Sequence, residues 1–333
     1  MLRLSPPGAE RFLQASSFGV SFGGSEANVA VTLAQAGLDA CFVTRLPEHA
    51  IGQAAVNHLR RFGVNTHHIV RGGDRIGIYF LETGASQRPS QVIYDRSRSA
   101  VSTMEASSVD WERVFDNADW FHWSGITPAL GPAAEECIRV ACQAARNAGA
   151  VVSCDLNYRK KLWAEHEAQA VMTPLMEFVD VCIANEEDAH RSLGIQMQGT
   201  DIEKAQLDER AYGLLARQLM DTYAFSSVAI TLRESFSASR NGWSALMLDT
   251  RDCVAPYRSR RYDIQVVDRV GAGDSFAGGL ICGLLRKDDS REALEYAVAA
   301  SCLKHAIPGD FNLSSVAEIE KLRQGSGSGR VER

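Results

Sequence analysis

The stretch VVDRVGAGDSFAGGL, Val266 to Leu280, joins a predicted strand to a predicted helix through a turn of small residues. The strand pattern begins just upstream in YDIQVV, and small and apolar residues at helical spacing follow the turn. This order predicts that the N–H groups of Ala272, Gly273 and Asp274 lie at a helix N-terminus, where unpaired donors and the helix dipole favour an anion. Gly271 and Gly273 would let a phosphate approach the backbone closely.

Two interpretations of Asp274 follow from this stretch. In the simpler one, Asp274 only satisfies local N–H groups of an ordinary helix after a tight turn. In the functional one, its carboxylate accepts the proton of a hydroxyl that attacks a phosphate held by the turn. We expect the helix N-terminus to lower the pKa of Asp274 and keep it ionised. The turn lacks the third glycine of G-x-G-x-x-G, and the chain has no G-x-x-x-x-G-K-[ST], so a dinucleotide fold fits poorly and a P-loop is excluded.

The composition limits the class of protein. A chain of 333 residues with 45% hydrophobic residues can bury a large core in one big domain or two unequal ones. A net charge of -6 argues against nucleic acid or an anionic membrane as partners. The eight cysteines form no C-x-x-C pair and are expected to be reduced thiols. Because the N-terminal residues lack the apolar stretch of a signal peptide, we expect a cytoplasmic protein.

Short β-rich runs alternate with amphipathic helical stretches along the chain. The predicted strands are CFVTRL (Cys41 to Leu46), DWFHWSG, AVVSCDLN, VDVCIAN and SSVAITLRE, and the clearest predicted helices are IGQAAVNHLRRFG and PAAEECIRVACQAARNAGA. This series predicts an α/β fold with a doubly wound, mostly parallel sheet flanked by helices. Ligands of such sheets gather at the carboxyl ends of the strands. The segment Arg75 to Ala100 has two β-type runs and no helix, which predicts a hairpin outside the main sheet that serves as a lid or an oligomer contact.

Three separated segments together resemble a known family: FGGSEANVAVTLAQAG (Phe22 to Gly37), CDLNYRKKLW (Cys154 to Trp163) and VDRVGAGDSFAGG (Val267 to Gly279). They resemble the ribokinase-like (PfkB) carbohydrate kinases, in the right order and over nearly the whole chain. LRLSPPG, SGITPAL, DLNYRKKLW and ANEEDA look most like the members that act on 2-keto-3-deoxygluconate. The resemblance implies phosphorylation of the terminal hydroxyl of this six-carbon keto acid by ATP with Mg2+. It also implies one kinase domain over residues 1–320, with a β lid from about 1–22 and 75–100, and a homo-oligomer; we expect the low-complexity tail 321–333 to be disordered.

The resemblance implies a role for each residue in the matching motifs. Asp274 corresponds to the catalytic base, and Gly271, Ala272 and Gly273 correspond to the anion hole. The implied sugar contacts are Gly23, Gly24, Asn28, Tyr79, Tyr94, Arg96, Arg159 and Asp310. The implied nucleotide contacts are Asn157, Asn185, Thr231, Arg233 and Ser235, with Gly271 and Gly273. No metal site made by the protein alone is expected, because Mg2+ would arrive with ATP.

Simpler alternatives stay open for these residues. Gly23 and Gly24 would suit any turn before a helix, and the two tyrosines would stiffen any hairpin. Arg96 and Arg159 would serve equally as surface ion-pair residues. Arg159, however, lies just past a predicted strand end in a negatively charged chain, and guanidinium groups pair with carboxylates through two hydrogen bonds. An anionic ligand is therefore the favoured interpretation of Arg159.

The sequence departs from the family at three places. Arg269 stands where many relatives have Thr, which leaves a K+ requirement open. Asp188 replaces a commoner Glu, and the chain begins at MLRLSPPG where relatives have a preceding strand segment with Gly-Glu, so an empty sheet position is expected. Two other functions stay open as well: a kinase for a neutral sugar such as fructose or ribose, and a sugar-acid-binding protein without turnover. The gluconate and galactonate epimers are not distinguished.

Overall fold

The computed structural model describes residues 1–196, 209–287 and 289–325. The strands are β1 Leu2–Ser5, β2 Gly19–Phe22, β3 Thr44–Leu46, β4 Ile69–Arg71, β5 Ile78–Glu82, β6 Gln91–Asp95, β7 Trp120–Ser124, β8 Val151–Asp155, β9 Val181–Ala184, β10 Ser227–Ser235, β11 Arg240–Asp249, β12 Cys253–Arg258 and β13 Tyr262–Gln265. The α-helices are α1 Ser25–Gln35, α2 Ala50–Arg61, α3 Trp111–Val114, α4 Pro132–Ala148, α5 Glu165–Leu175, α6 Glu186–Leu193, α7 Glu209–Tyr223, α8 Ala272–Arg286, α9 Ser290–Lys304 and α10 Val316–Arg323. Short 3-10 helices cover Ala100–Thr103, Ala106–Ser108, Pro128–Leu130 and Met176–Phe178.

A seven-stranded sheet lies at the centre, in the order β12-β11-β10-β9-β8-β7, with β13 also paired to β11. Strands β7 to β10 are parallel and are connected through helices, as the alternating pattern predicts. Strands β11, β12 and β13 pair antiparallel, because short turns rather than helices connect them. The predicted α/β fold is confirmed. The sheet also contains antiparallel strands, which the sequence pattern did not distinguish from the parallel ones.

Both faces of this sheet are buried. Along β9, Val181 and Ile183 pack into the core under α8 and α9, while Cys182 and Ala184 pack into the core under α4, α5 and α7. A strand buried on both faces has to be apolar at every position, which is why VDVCIAN reads as a continuous apolar run. The helices therefore leave the carboxyl ends of the parallel strands as an accessible edge for a ligand.

A second sheet of four strands, in the order β2-β1-β5-β6, lies apart from the central one. It combines the segment that begins MLRLSPPG with the predicted hairpin, whose strands β5 and β6 pair antiparallel. The two ranges that the sequence assigns to a lid thus form one sheet. Its closing over a ligand stays a prediction. For the tail, α10 extends to Arg323, so disorder from residue 321 is wrong for the first residues, and 326–333 lie outside the described residues.

One predicted strand is shorter than expected. Cys41 to Leu46 forms a strand only over Thr44–Leu46, which pairs with β4 rather than with the central sheet. The amide of Phe42 donates to the carbonyl of Asn65, so this backbone is bonded on the side away from β7. A cavity lined by residues 41–44 and 120–123 lies between it and β7. The seven cysteines whose side chains are described are all free, and across the described ranges no helix is long and apolar enough to cross a membrane.

Candidate active site

A cleft of about 2460 Å3, open to solvent, lies at the carboxyl ends of the parallel strands and beneath the four-stranded sheet. It brings together fifteen of the predicted site residues: Gly24, Asn28, Tyr79, Tyr94, Arg96, Asn157, Arg159, Asn185, Thr231, Arg233, Gly271, Ala272, Gly273, Asp274 and Asp310. Gly23 instead lines a smaller neighbouring cavity, and Ser235 is exposed at the end of β10 and does not line the cleft. The sequence therefore located the cleft, while the role of each residue stays a prediction.

Asp274 is held by two side chains of helix α1. Its Oδ1 accepts a hydrogen bond from Ser25 Oγ at 2.7 Å, and its Oδ2 accepts one from Asn28 Nδ2 at 2.6 Å. Neither oxygen caps α8, whose N-cap residue is Gly271 and which has no side-chain cap. The simple capping interpretation of Asp274 is therefore wrong. Both carboxylate oxygens are instead oriented by a helix that is about 250 residues away in sequence.

Burial raises the pKa of Asp274, and the hydrogen bonds from Asn28 and Ser25 and the charge of Arg159 act in the opposite direction. The expectation that the helix N-terminus lowers this pKa is therefore wrong, because removal of the carboxylate from water is the larger effect. A raised pKa makes the carboxylate a better proton acceptor once it is ionised. This property suits a group that hydrogen-bonds to a hydroxyl and takes its proton.

The turn before α8 offers two unpaired amides. The amide of Ala272 already donates to the carbonyl of Arg269 at 3.2 Å, and the amide of Ser275 donates to the carbonyl of Gly271 at 2.8 Å. Between them, the amides of Gly273 and Asp274 have no acceptor within the described part of the chain. Free amides at the start of a 15-residue helix are suited to an anion such as a phosphate.

Two glycines of this site are required by a close approach to Asp310. A Cβ atom on Gly271 would lie 1.9 Å from the Asp310 carbonyl oxygen, and one on Gly23 would lie 2.0 Å from its Oδ2. Gly271 also has φ +82°, which favours glycine. The segment before α1 and the turn before α8 therefore both pack directly against a single aspartate.

Asp310 itself belongs to a buried network that sequence reasoning missed. Arg3 of β1 donates to Asp310 Oδ1 at 2.9 Å and to Asp268 Oδ2 at 2.6 Å, and the Tyr79 hydroxyl of β5 donates to Asp310 Oδ2. These bonds connect the four-stranded sheet to the turn before α8. Both oxygens of Asp310 are thus occupied by protein groups, and this geometry gives Asp310 a role in joining the two parts.

Arg96 and Arg159 both line the cleft. Neither forms an ion pair within the described ranges, although the chain has many other arginine–carboxylate pairs. The guanidinium carbon of Arg96 lies 4.1 Å from the ring centre of Tyr94, and its buried Nη2 has no hydrogen-bond partner. Burial and the charge of Arg159 lower the pKa of Arg96. Arg159 donates to the carbonyl of Tyr158 at 2.9 Å. Two guanidinium groups that form no ion pair with the described residues therefore line the same cleft, which favours an anionic ligand.

Asn157 and Asn185, two of the predicted nucleotide contacts, both bond to other parts of the protein. Asn157, held at φ +42°, donates to Ser25 Oγ at 3.2 Å and to Ser124 Oγ at 3.1 Å, so it supports the Asp274 network. Asn185 caps α6 by accepting from the amide of Asp188 at 2.8 Å. Both side chains have structural partners, and a direct ligand contact by either stays a prediction.

Arg233 and Arg269 form a second positive pair in the cleft. The Nη2 atom of Arg269 donates to the carbonyl of Ala238 at 2.8 Å, and burial and the charge of Arg233 lower the pKa of Arg269. Arg233 is exposed and forms no ion pair with the described residues. Two neighbouring guanidinium groups are suited to bind a polyphosphate.

Asp155 is a further cleft residue that was not singled out from the sequence. It ends β8, and burial together with the nearby charges of Asp188 and Asp274 raises its pKa well above the usual range. Its position was accessible to sequence reasoning, because it is the first acidic residue after the apolar run of that strand. The described residues contain no group of three or more His, Cys, Asp or Glu side chains that could hold a metal ion by themselves.

The sequence profile of the pfkB family carbohydrate kinases matches residues 4–217 and 254–310. The chain belongs to this family. It is therefore a carbohydrate kinase, a phosphotransferase, and the ribokinase-like fold expected from its motifs is confirmed. A 2-dehydro-3-deoxygalactonokinase of Haloferax volcanii is 33% identical over 331 residues, which cover 99% of this chain and 96% of that protein. A 2-dehydro-3-deoxygluconokinase of Thermoproteus tenax is 30% identical over 95% of this chain and 89% of its own length.

Solved structures agree with this family. The crystal structure of a 2-dehydro-3-deoxygluconokinase from Thermotoga maritima matches with a TM-score of 0.93 and 54% identity, over 98% of this carbohydrate kinase and 96% of that chain. An E. coli structure that contains ATP and Mg2+ matches with a TM-score of 0.78 at 19% identity, over 97% of this kinase and 96% of that chain. The second similarity concerns the fold alone.

Proposed function

We propose that this carbohydrate kinase transfers the terminal phosphoryl group of ATP to the terminal hydroxyl of 2-keto-3-deoxygluconate. The observation that supports the proposal most is the shared cleft. It holds a fixed carboxylate, Asp274, beside free amides and two guanidinium groups that form no ion pair with the described residues, Arg96 and Arg159. A sugar with a carboxylate at one end and a hydroxyl at the other fits this order of charges. The 54% identity to a kinase named for this substrate supports the same choice.

Each group has one task in the proposed mechanism. Arg96 and Arg159 bind the carboxylate of the sugar acid, which places its far hydroxyl at Asp274. Asp274 accepts the hydroxyl proton as the oxygen attacks the terminal phosphorus of ATP, and the bond from that phosphorus to the bridging oxygen breaks so that ADP leaves. The amides of Gly273 and Asp274 stabilise the charge on the transferred group. Arg233 and Arg269 hold the polyphosphate in line with the attacking oxygen.

Mg2+ would be supplied with ATP, and its charge would stabilise the phosphate oxygens. The cleft fits such an ion, because the carboxylates of Asp155, Asp188 and Asp274 raise one another's energy when all are ionised, as the raised pKa of Asp155 indicates. Asp188 already accepts a hydrogen bond from the amide of Tyr158 at 3.0 Å, which fixes its orientation toward this region. The proposed mechanism does not specify whether turnover requires K+.

A coupled assay of ADP release tests the function. We expect turnover with 2-keto-3-deoxygluconate, and weaker turnover with fructose and ribose, which lack the carboxylate. The galactonate epimer is the second candidate, since the relative from Haloferax volcanii is named for it. Equal kcat/KM for fructose and the keto acid would favour the neutral-sugar kinase. Binding of the acid by calorimetry without any product would favour the protein without turnover.

We also propose that the protein forms a homodimer through the outer face of the four-stranded sheet. Val20, Leu4, Phe80 and Ile93 lie opposite one another on the four successive strands, and Val20 and Ile93 are 64% and 53% exposed. The neighbouring row with Tyr79 and Tyr94 faces the cleft. An exposed apolar row across a sheet is suited to a second copy. Light scattering on the wild type and on Val20→Lys with Ile93→Lys should give a dimer and a monomer, and a monomeric wild type would contradict the proposal.

A further inference from the structure

Lys304 is a buried charged residue for which the mechanism above has no use. It is the last residue of α9, and its side chain is completely buried. Lysine is almost never buried in full unless its ammonium group has partners. Within the described ranges Lys304 forms no ion pair. Its Nζ atom donates instead to two main-chain carbonyls, that of Asp268 at 3.3 Å and that of Ile307 at 3.1 Å.

These two carbonyls belong to two loops that cross beneath the anion turn. The first loop, residues 267–271, leads into α8, and the second, residues 305–310, follows α9. The amides of Val267 and Asp268 donate to the carbonyl of His305 at 2.9 and 3.1 Å, and the amide of Gly309 donates to Asp268 Oδ2 at 3.0 Å. The ammonium group of Lys304 therefore joins the loops from their buried side.

The crossing of the loops determines where the free amides point. Gly271 packs against the carbonyl of Asp310 with no space for a Cβ, and the carbonyl of Ala272 accepts from Ser301 Oγ at 2.7 Å. A shift of either loop would displace Gly271, and the amides of Gly273 and Asp274 would move with it. The two loops and the anion turn thus form one packed unit.

The surroundings of the Lys304 ammonium group act on its pKa in two directions. Burial lowers the pKa of Lys304, and the carboxylates of Asp268 and Asp310 act in the opposite direction. Main-chain carbonyl oxygens such as these two are also the groups that bind a dehydrated K+ ion. Here a covalently attached ammonium group already occupies them, and a second cation would be repelled by it.

We propose that Lys304 acts as an internal monovalent cation that positions the anion turn, so that this kinase needs no K+ for turnover. This inference rests on the proposed function for its activity readout. Lys304 contacts no reacting atom, so it is a positioning residue. Its positive charge and its hydrogen bonds hold the two loops together, as a bound K+ ion coordinated by both loops would.

The first test is the cation dependence of the wild-type protein. ADP release is measured in Tris buffer with KCl, and with choline chloride at the same ionic strength. We expect the same kcat in both. A fall in kcat of about tenfold or more without K+ would overturn the inference, because the carbonyl cluster would then need an ion from solution.

The second test removes the charge and keeps the length of the side chain. Lys304→Met should lower kcat by about tenfold or more, and KCl or ammonium chloride should restore part of it, because either ion can enter the vacated carbonyl cluster. Lys287→Met is the matched control, since Lys287 pairs with Glu320 at 2.7 Å near the other end of α9 and should show no cation response. A Lys304→Met protein whose loss is identical with and without these cations would give Lys304 a purely structural role and overturn the inference.

A third measurement separates this inference from the substrate assignment. Calorimetry of ADP binding to the wild type, with and without K+, needs no sugar acid. Equal affinities would support the internal cation even if none of the tested sugars is phosphorylated. An ADP affinity that falls about tenfold without K+ would overturn it whatever the substrate is, and it also decides the matter if Lys304→Met does not fold.

Discussion

The two ends of the cleft differ in how their charged groups are paired. At the proposed phosphate end, both oxygens of Asp274 are bound by Ser25 and Asn28, and the turn beside it is packed against Asp310. At the proposed substrate end, Arg96 and Arg159 form no ion pair with any described residue. Side chains that already have partners are fixed in position before a ligand binds. Charged side chains without an ion-pair partner instead indicate where the opposite charge of a ligand will lie.

Asp274→Asn should give the largest effect and would test the phosphate end directly. The amide keeps the size and can keep one hydrogen bond to α1, but it cannot accept a proton. We expect kcat to fall by about 10²- to 10⁴-fold, with little change in ATP affinity. Single-turnover and steady-state assays measure this. Asp221→Asn, at an exposed position of α7, is the control, and near-normal turnover of Asp274→Asn would remove this residue from the mechanism.

Gly271→Ala should have the next largest effect, because it disrupts the packing of the turn before α8. The added Cβ would collide with the Asp310 carbonyl, while Gly149→Ala has a similar φ of +79° and meets nothing within 4 Å. We expect Gly271→Ala to lower the free energy of unfolding by on the order of 2 kcal/mol more than the control. Urea denaturation measures both variants. Equal losses would show that backbone conformation alone matters at Gly271.

Arg159→Met tests the substrate end. Loss of a hydrogen bond between charged groups, discounted for the exposure of Arg159, should raise KM for the sugar acid by about tenfold. Turnover of fructose, if present, should change little, because fructose has no carboxylate. Arg139→Met, which removes one partner of an exposed pair with Glu136, is the matched control. An unchanged KM would mean that Arg159 is an ordinary surface residue.

Tyr79→Phe would weaken the connection between the four-stranded sheet and Asp310. It removes the hydroxyl that donates to Asp310 Oδ2 but keeps the ring that packs near Tyr94. We expect a loss of about 1 kcal/mol of stability and a few-fold rise in KM for the sugar acid. Thermal denaturation and steady-state kinetics measure the two effects. A change in kcat larger than the change in KM would place Tyr79 nearer the chemical step than its contacts indicate.

The pH profile should show the smallest effect. Only ionised Asp274 can accept a proton, so kcat/KM falls as pH falls through its pKa, which burial raises above the ordinary aspartate value. Because Arg159 lowers this pKa, Arg159→Met should move the acid limb to higher pH. Asp155→Asn serves as the comparison, since the two carboxylates interact. A limb that moves to lower pH in Arg159→Met would contradict the assignment to Asp274.

The sequence predicted the local features of the cleft better than the long-range ones. The turn before α8, the strands β7 to β10 and the hairpin of β5 and β6 follow from short patterns of apolar and small residues. The pairing of Arg3 with Asp268 does not, since it joins residues 265 positions apart and leaves no local pattern. The sequence also predicted the wrong direction for the pKa shift of Asp274. The position of Asp274 at the start of a helix can be read from the sequence, whereas its burial by residues distant in sequence cannot.

The contact of Gly23 and Gly271 with the same aspartate has a consequence for engineering this kinase. A library that reshapes the cavity around Gly23 would also disturb the turn before α8, because Gly23 and Gly271 both pack against Asp310. Substitutions around Gly23 would then be epistatic with positions in that turn, and beneficial combinations would need to be selected together. The charge of Arg159 also acts on Asp274 and on Arg96, so changes of substrate preference at either arginine would need to be selected together with positions near Asp274.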